Sequence, residues 1–283
     1  MLVKATNKSD KQLLIFGEHK EKIKSHDLNS YLDGLKIGLV RDDCLHFLST
    51  LKDKSVDLIV TDPAYSGMNN KLKLGRGRIV GKYKDKGTEN GKWFSEFEDT
   101  PQNYERFLKG CKRVLKPSAH IYIMFDSFSL LTLAPIVRGY FDIKNLITWD
   151  KVSIGMGHYY RRRHEFILFA TNGNNTKIKN RAFPDVWRIK RIHNAKYPTQ
   201  KPVELFDIML SASSKPGFTV CDPFLGSGSS AIAALKHGCN FVGSDISESA
   251  IYTSRNRVKR FTTTGKDPLQ LYSAIPEGQE IFW

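Results

Sequence analysis

Short apolar runs alternate along this chain with longer segments in which apolar residues return every third or fourth position. The short runs are typical of buried β-strands, and the longer periodic segments are typical of amphipathic helices. Strands are predicted at 36–40, 56–60, 119–125, 142–149, 164–170, 218–221 and 240–244. Helices are predicted at 44–51, 102–115, 128–138, 203–212, 229–237 and 248–260. Because strands and helices alternate, we predict an α/β fold with a doubly wound, mostly parallel, seven-stranded sheet.

Composition narrows the class of protein. The chain has 283 residues, of which 40% are hydrophobic, so a sizeable core is expected. Its net charge of +15 favours a polyanionic partner such as nucleic acid. No segment approaches the roughly 18 consecutive apolar residues of a membrane span, and no signal peptide is evident, so a cytoplasmic protein is expected. Its four cysteines form no C-x-x-C pair, so neither a zinc site nor a disulfide framework is expected.

A glycine-rich segment at 226–231 matches the G-x-G-x-x-A pattern between a strand and a helix, and Asp245 closes the next strand. A carboxylate there can accept hydrogen bonds from ribose hydroxyls. A dinucleotide would bring its pyrophosphate close to the Asp222 carboxylate, which would repel it. The cationic, phosphate-free S-adenosylmethionine therefore fits better. A capped helix without a ligand remains an alternative, and an oxidoreductase would rest on the glycine pattern alone.

A second acidic turn, at 62–65, follows the apolar strand 56–60. The Asp62 carboxylate and the Pro63 carbonyl could each accept one N–H of an exocyclic base amine and so direct its lone pair toward a methyl group. Tyr65 could stack on a base that has left the duplex. A strand end closed by an Asp-Pro turn, with Tyr65 in the core, is the alternative. No Pro-Cys dipeptide occurs, so the cysteine chemistry of cytosine C5 methylation is not indicated.

Three segments resemble the β class of amino-group DNA methyltransferases. Asp62-Pro63-Ala64-Tyr65 resembles the catalytic D/S-P-P-Y motif, residues 222–228 resemble the D-P-F-x-G-S-G cofactor loop, and residues 197–202 resemble the H-P-T-Q-K-P segment. The catalytic block precedes the cofactor block, which is the circularly permuted order of this class. The resemblance covers about 36–260 and implies a Rossmann-like methyltransferase fold.

The resemblance also implies a function: a site-specific DNA adenine N6-methyltransferase that uses S-adenosylmethionine, base flipping and direct methyl transfer. Aspartate at position 62 favours adenine, and cytosine N4 is the alternative. A DNA-binding homologue with impaired catalysis is a further alternative, because Ala64 replaces the second proline of the motif. The implied catalytic residues are Asp62, Pro63 and Tyr65. The implied cofactor contacts are Asp43, Asp222, Phe224, Gly226, Gly228, Asp245, Thr199 and Lys201.

Some of these cofactor assignments have alternatives. Residues 43–45 resemble the family's G-D-C-L turn, and Asp42 stands where that turn has glycine. Either Asp42 or Asp43 could therefore face the adenosine, and Asp43 aligns with the aspartate of the turn. Thr199 could instead cap the following helix, and Lys201 could be a surface charge. Tyr197 stands where the family usually has histidine.

Basic side chains in two segments are predicted to contact double-stranded DNA. The run 158–163 combines guanidinium groups with aromatic rings, which suits phosphate contacts and stacking, although a solvated hairpin edge is the alternative. The second segment surrounds Trp187 and is the candidate for reading sequence in the major groove. The predicted DNA contacts are Arg161, Arg162, Arg163, Lys177, Lys179, Arg188, Lys190 and Arg191.

The chain divides into segments with different expected roles. We predict an N-terminal extension at 1–35, a catalytic half at 36–170 with a mobile basic loop at 66–99, a target-recognition insertion at 171–197, a cofactor-binding half at 198–260 and a C-terminal tail at 261–283. A restriction-modification system is the expected setting. The sequence leaves a homodimer and a cognate restriction endonuclease open.

Overall fold

The computed structural model describes residues 34–63, 97, 100–155, 159–173, 176–179, 181–193, 195, 197 and 199–269. Tyr65, His158 and nearly all of the predicted basic loop 66–99 therefore lie outside the described residues. Residues 1–33 and 270–283, which include most of the predicted extension and tail, also lie outside them.

One sheet organises the described part of the chain. Its strands are β1 (Ile37–Arg41), β2 (Val56–Thr61), β3 (Leu115–Phe125), β4 (Asp142–Asp150), β5 (His164–Thr171), β6 (Val186–Arg188), β7 (Thr219–Asp222) and β8 (Asn240–Asp245). They lie in the order β1-β8-β7-β2-β3-β5-β4-β6. All neighbours pair in parallel except β5, which is antiparallel to both β3 and β4. The mostly parallel α/β fold is confirmed.

Helices cover both faces of this sheet. They are α1 (Cys44–Thr50), α2 (Pro101–Val114), α3 (Ser127–Arg138), α4 (Val203–Ser213), α5 (Ser229–Lys236) and α6 (Glu248–Thr264). Helices α1 to α3 pack on one face and α4 to α6 on the other. Successive side chains along a strand point alternately into these two cores. On β2, for example, Leu58 and Val60 face α4 to α6, whereas Ile59 faces α1 to α3.

The prediction of seven strands was wrong by one, because β6 also belongs to the sheet. This strand has three residues and pairs with the end of β4, where Trp187 lies opposite Trp149. Both indole rings are buried, and each donates its ring N–H to a backbone carbonyl: Trp149 to Ile189 at 2.7 Å and Trp187 to Pro184 at 2.8 Å. A strand this short has too few residues to show a period of two.

The last helix also extends beyond the predicted boundary. Helix α6 continues to Thr264 and ends at Gly265, which adopts the left-handed conformation at φ 69°. Phe261 and Thr262 are buried, so the start of the predicted tail belongs to the folded domain. No helix in the described ranges is long and apolar enough to cross a membrane.

Candidate active site

Acidic side chains gather along one edge of the sheet, where the parallel strands end. Parallel strands present their carboxyl ends to the same edge, and β5 begins there because it runs the other way. The carboxylates on this edge are those of Asp43, Asp62, Asp126, Asp150, Glu165, Asp222 and Asp245. We call it the catalytic edge. It holds Asp62 and Asp222, the aspartates of the two acidic turns singled out in the sequence.

The two acidic turns are directly connected. Strands β2 and β7 are neighbours, and the Thr61 hydroxyl at the end of β2 donates a 2.9 Å hydrogen bond to the Asp222 carboxylate at the end of β7. Asp222 also accepts from the Ser230 hydroxyl at 2.5 Å and from the Phe224 backbone N–H at 3.0 Å. Two segments 161 residues apart in sequence therefore form one site.

Asp222 is almost completely buried, at 2% exposure, and burial raises its pKa to about 7, although its three hydrogen bonds oppose the rise. An unfolded aspartate titrates near pH 4, so the folded protein holds this proton more tightly than the unfolded chain does. The free energy of unfolding should therefore fall as pH rises from about 4 to 7, by up to about 4 kcal/mol from this group.

Asp222→Asn is expected to remove this component of the pH dependence, because the amide does not ionise. Urea denaturation at a series of pH values between 4 and 8 measures it, and the exposed Asp185→Asn serves as the matched control. A parent and an Asp222→Asn variant with the same pH slope would show that Asp222 does not titrate in this range.

Asp62 lies in a chain of alternating charges. The Lys201 ammonium binds the Asp62 carboxylate and lies 3.8 Å from Glu165, which in turn binds Lys151 at 3.0 Å. Burial raises the pKa of Asp62, and Lys201 opposes that rise. Burial also tends to raise the pKa of Glu165, but Lys201 and Lys151 outweigh it and lower that pKa below its ordinary value. The cluster is neutral as a whole.

The alternative that Lys201 is a surface charge is therefore wrong, since its side chain is only 16% exposed. The helix-cap alternative for Thr199 also fails, because α4 begins at Val203 without a side-chain cap. Thr199 is exposed and adopts a left-handed backbone at φ 58°. Lys151 and Glu165 were not among the predicted site residues. Glu165 lies two residues after the arginine run in sequence, and only the folded structure shows that its carboxylate lies 3.8 Å from the Lys201 ammonium.

The glycine turn (Gly226, Ser227 and Gly228) lies beside Asp245. The Asp245 carboxylate accepts backbone N–H bonds from Gly226 at 2.9 Å and from Ser247 at 2.8 Å. Both glycines have left-handed backbones, at φ 51° and 79°. Among the described residues, a Cβ at Gly226 would meet the Tyr197 ring alone, at 3.9 Å, so this side of the turn is open toward them.

This turn fits the expected methyl donor. Each Asp245 oxygen holds one backbone bond and retains a second lone pair for a ribose hydroxyl. Burial raises the pKa of Asp245 and of the nearby Asp222, and a cationic ligand would favour the ionised form of each. Carboxylates around an open glycine turn suit a cationic ligand and disfavour a pyrophosphate.

Asp43 and Phe224 already have protein partners. The Asp43 carboxylate caps α1 by accepting from the backbone N–H groups of Leu45 and His46. Asp42, the alternative, binds the His46 ring at 2.6 Å and donates its backbone N–H to the Asp245 carbonyl at 3.1 Å. The Phe224 ring is half-buried against Phe97 and Phe107. The predicted cofactor contacts at Asp43 and Phe224 stay predictions.

The predicted DNA contacts divide between the two edges of the sheet. Arg163 and Arg188 meet at the Asp150 carboxylate on the catalytic edge, and Arg161, Arg162, Lys190 and Arg191 lie on the segments that flank it. Lys179 instead donates its backbone N–H to Ala212 at the far end of α4, and the nearby Thr176 accepts from His120 near the start of β3. Lys177 and Lys179 therefore lie at the opposite edge, because β5 runs antiparallel and carries the chain away from the catalytic edge.

Comparison with known proteins identifies the family of this chain. A model of the DNA methylase family matches residues 56–256. Among curated proteins, type II methyltransferase M2.DpnII from Streptococcus pneumoniae is 28% identical over 253 residues, which is 81% of this chain and 92% of that protein. Type II methyltransferase M2.MboI from Moraxella bovis is 24% identical over 259 residues, which is 83% of this chain and 92% of that protein.

Solved structures share the fold. The M1.HpyAVI–SAM complex has a TM-score of 0.56 at 21% identity and covers 78% of this chain and 99% of its own. The PvuII DNA methyltransferase, described as cytosine-N4-specific, has a TM-score of 0.58 at 12% identity and covers 81% of this chain and 93% of its own. The chain thus has the methyltransferase fold, and it belongs to the N6/N4 DNA methylase family.

Proposed function

We propose that this protein is a site-specific DNA adenine N6-methyltransferase that methylates a flipped base. The observation that carries this proposal is the hydrogen bond between Thr61 and Asp222, at 2.9 Å. It fixes the end of β2, which bears Asp62, against the end of β7, which opens into the glycine turn. A base amine held at Asp62 and a methyl donor held at the glycine turn would therefore be adjacent, as direct transfer requires.

Asp62 and Pro63 would hold the target amine. The Asp62 carboxylate and the Pro63 carbonyl are hydrogen-bond acceptors, and an exocyclic amine has two N–H donors. Accepting both bonds favours a pyramidal nitrogen and concentrates electron density on its lone pair. Lys201 fixes the Asp62 carboxylate and favours its ionised form. The nitrogen must lose a proton on methylation, and the Asp62 oxygen is the acceptor at this point of the edge.

S-adenosylmethionine supplies an activated methyl group on a sulfonium centre. Asp245 would accept hydrogen bonds from its ribose hydroxyls, the glycine turn would admit it close to the backbone, and Asp222 would favour its positive charge. The side chain of Asp222 already accepts three hydrogen bonds, so we assign it a role in shaping the turn as well as an electrostatic one.

The choice of adenine rests on Asp62, since aspartate at this position is typical of adenine enzymes in the resembled class. The fold does not decide between the bases. Either amine presents the same two N–H groups to the same two acceptors.

DNA would approach the catalytic edge through a basic group formed by Arg161, Arg162, Arg163, Arg188, Lys190 and Arg191. The geometry supports this group because its members flank Asp150 on the edge that bears Asp62. Lys177 and Lys179 are left out of it. The type II names of the relatives favour a modification role alongside a restriction endonuclease.

Digestion of methylated DNA to nucleosides tests the proposed function. The purified protein is incubated with unmethylated genomic DNA and S-adenosylmethionine, and the nucleosides are separated by mass. N6-methyl-2′-deoxyadenosine is the expected product. If N4-methyl-2′-deoxycytidine is the sole methylated product, the target base is cytosine. If no methylated nucleoside forms, the proposed enzyme function is contradicted.

Asp245→Ala is expected to weaken binding of S-adenosylmethionine by about tenfold or more, because the ribose loses a charged hydrogen-bond acceptor. The maximal rate at saturating methyl donor should change much less, since Asp245 does not reach the target amine in this proposal. Isothermal titration calorimetry and a KM measurement for the methyl donor check both parts. An unchanged KM would show that Asp245 does not bind the methyl donor.

A further inference from the structure

Arg257 in α6 is a charged side chain with almost no exposure to solvent. Its side chain and that of Asp267 are each 1% exposed, and the two form a bidentate ion pair at 2.8 and 2.7 Å. Burying two charges removes their hydration, and an apolar pair of similar size would often stabilise a fold equally well. The pair therefore requires an explanation other than stability.

The remaining hydrogen bonds of Arg257 go to the glycine turn. Its Nη1 donates to the Ser227 carbonyl at 3.0 Å, to the Ser227 hydroxyl at 3.2 Å and to the Ser229 hydroxyl at 2.9 Å. Ser227 and Ser229 flank Gly228, whose left-handed backbone packs so closely on Ser254 of α6 that an added Cβ would lie 3.0 Å from that side chain. The Arg257 guanidinium thus holds the glycine turn on the side that faces α6.

A short segment, Asp267, Pro268 and Leu269, holds Arg257 in this position, and we call it the clasp. Asp267 orients the guanidinium, and its carboxylate also accepts from the Leu269 backbone N–H at 3.0 Å. The Leu269 carbonyl accepts a 3.0 Å bond from the buried side chain of Gln200. The clasp therefore contacts both Arg257, which supports the glycine turn, and the segment that carries Lys201.

Ser229 connects the two halves of the site. Its hydroxyl accepts from Arg257 and donates to the Lys201 backbone carbonyl at 2.7 Å. The Lys201 side chain in turn binds Asp62. A continuous series of polar contacts therefore runs from the clasp, through the glycine turn, to the proposed catalytic carboxylate.

We propose that Arg257 and Asp267 are positioning residues that hold the glycine turn in the shape that binds the methyl donor. This inference rests on the proposed function, because it assumes that the glycine turn binds S-adenosylmethionine. Neither residue needs to touch the methyl donor. Their effect passes through the backbone of Ser227 and the hydroxyl of Ser229.

The test separates positioning from stability with a double variant, Arg257→Met with Asp267→Leu. Replacing both charges by apolar groups of similar size should keep the protein folded, because neither variant side chain leaves a buried charge without its partner. The Kd for S-adenosylmethionine should nevertheless rise about tenfold, because the turn loses its charge-assisted hydrogen bonds. The control is Val258→Ala, which removes two buried methyl groups from the same helix and keeps the side chains of Arg257 and Asp267. It should lower the melting temperature and change the Kd by less than about twofold.

Two results would overturn the positioning role: a folded double variant with the Kd of the parent, or a rise in Kd for Val258→Ala equal to that of the double variant. If the double variant does not fold, Ser229→Ala replaces it. That variant keeps the ion pair, and its Kd should rise severalfold; an unchanged Kd would overturn the inference. Parent protein that binds no S-adenosylmethionine would contradict the proposed function itself.

Discussion

Asp62→Ala is expected to lower the rate of methyl transfer at saturating substrates by about 10³-fold, because the target amine loses the acceptor that directs its lone pair. Asp62→Asn keeps an acceptor oxygen but loses the negative charge, so its rate should lie between those of Asp62→Ala and the parent. Incorporation of radiolabelled methyl groups into DNA measures all three rates. The affinity for S-adenosylmethionine should stay within about twofold of the parent, since Asp245 and the glycine turn are unchanged.

The two variants together identify what the carboxylate does. A rate for Asp62→Asn equal to that of the parent would show that the charge of Asp62 contributes nothing and that hydrogen bonding alone suffices. Parental activity in Asp62→Ala would remove Asp62 from the catalytic site. A large loss of methyl-donor affinity in either variant would indicate that this residue binds the cofactor instead.

Lys201→Met is expected to destabilise the protein by about 2–3 kcal/mol near pH 8, because it leaves two partly buried carboxylates together without their shared cation. Asp62 and Glu165 are each about a quarter exposed, at 27%. Lys201 lowers the pKa of both carboxyl groups, so without it the pKa of Asp62 should rise further and that of Glu165 should rise as well, and the folded variant would bind protons more tightly than the parent. The deficit in stability should therefore shrink as pH falls from 8 to 5.

Urea denaturation at pH 5 and pH 8 measures this effect. The control is Arg41→Met, which removes the exposed pair between Arg41 and Glu248 and should cost less than about 1 kcal/mol at either pH. If Lys201→Met lowers the free energy of unfolding by the same amount at both pH values, Lys201 does not act as the shared cation of Asp62 and Glu165. If Lys201→Met lowers the free energy of unfolding by no more than the control does, Lys201 adds nothing to the stability of the edge.

The sequence predicted most of the elements because their signals are local. Within the described ranges, apolar periodicity and turn residues located each helix and the seven longer strands to within a few residues, and the two acidic turns were found by their position after apolar strands. A three-residue strand such as β6 has no periodic signal. Its place in the sheet is set by the packing of Trp187, which involves residues far away in sequence.

Contacts between distant segments could not be predicted in the same way. The partnership of Lys201 with Asp62 depends on which strands are neighbours, and the sequence gives no direct measure of strand order. Lys177 and Lys179 were grouped with Arg188 because they are close in sequence. The antiparallel direction of β5 places them at the other edge. Arg257 lies in a polar stretch of helix, and only the folded structure shows that it is buried.

The central claim is that the end of β2 holds the target amine beside a methyl donor held at the end of β7. The most direct measurement is a crystal structure of the protein with an unreactive analogue of S-adenosylmethionine and a duplex that contains the recognised site. The account predicts a flipped base whose amine lies about 3 Å from the Asp62 carboxylate and from the Pro63 carbonyl. An amine bound elsewhere on the protein, or a base still stacked in the duplex, would contradict it.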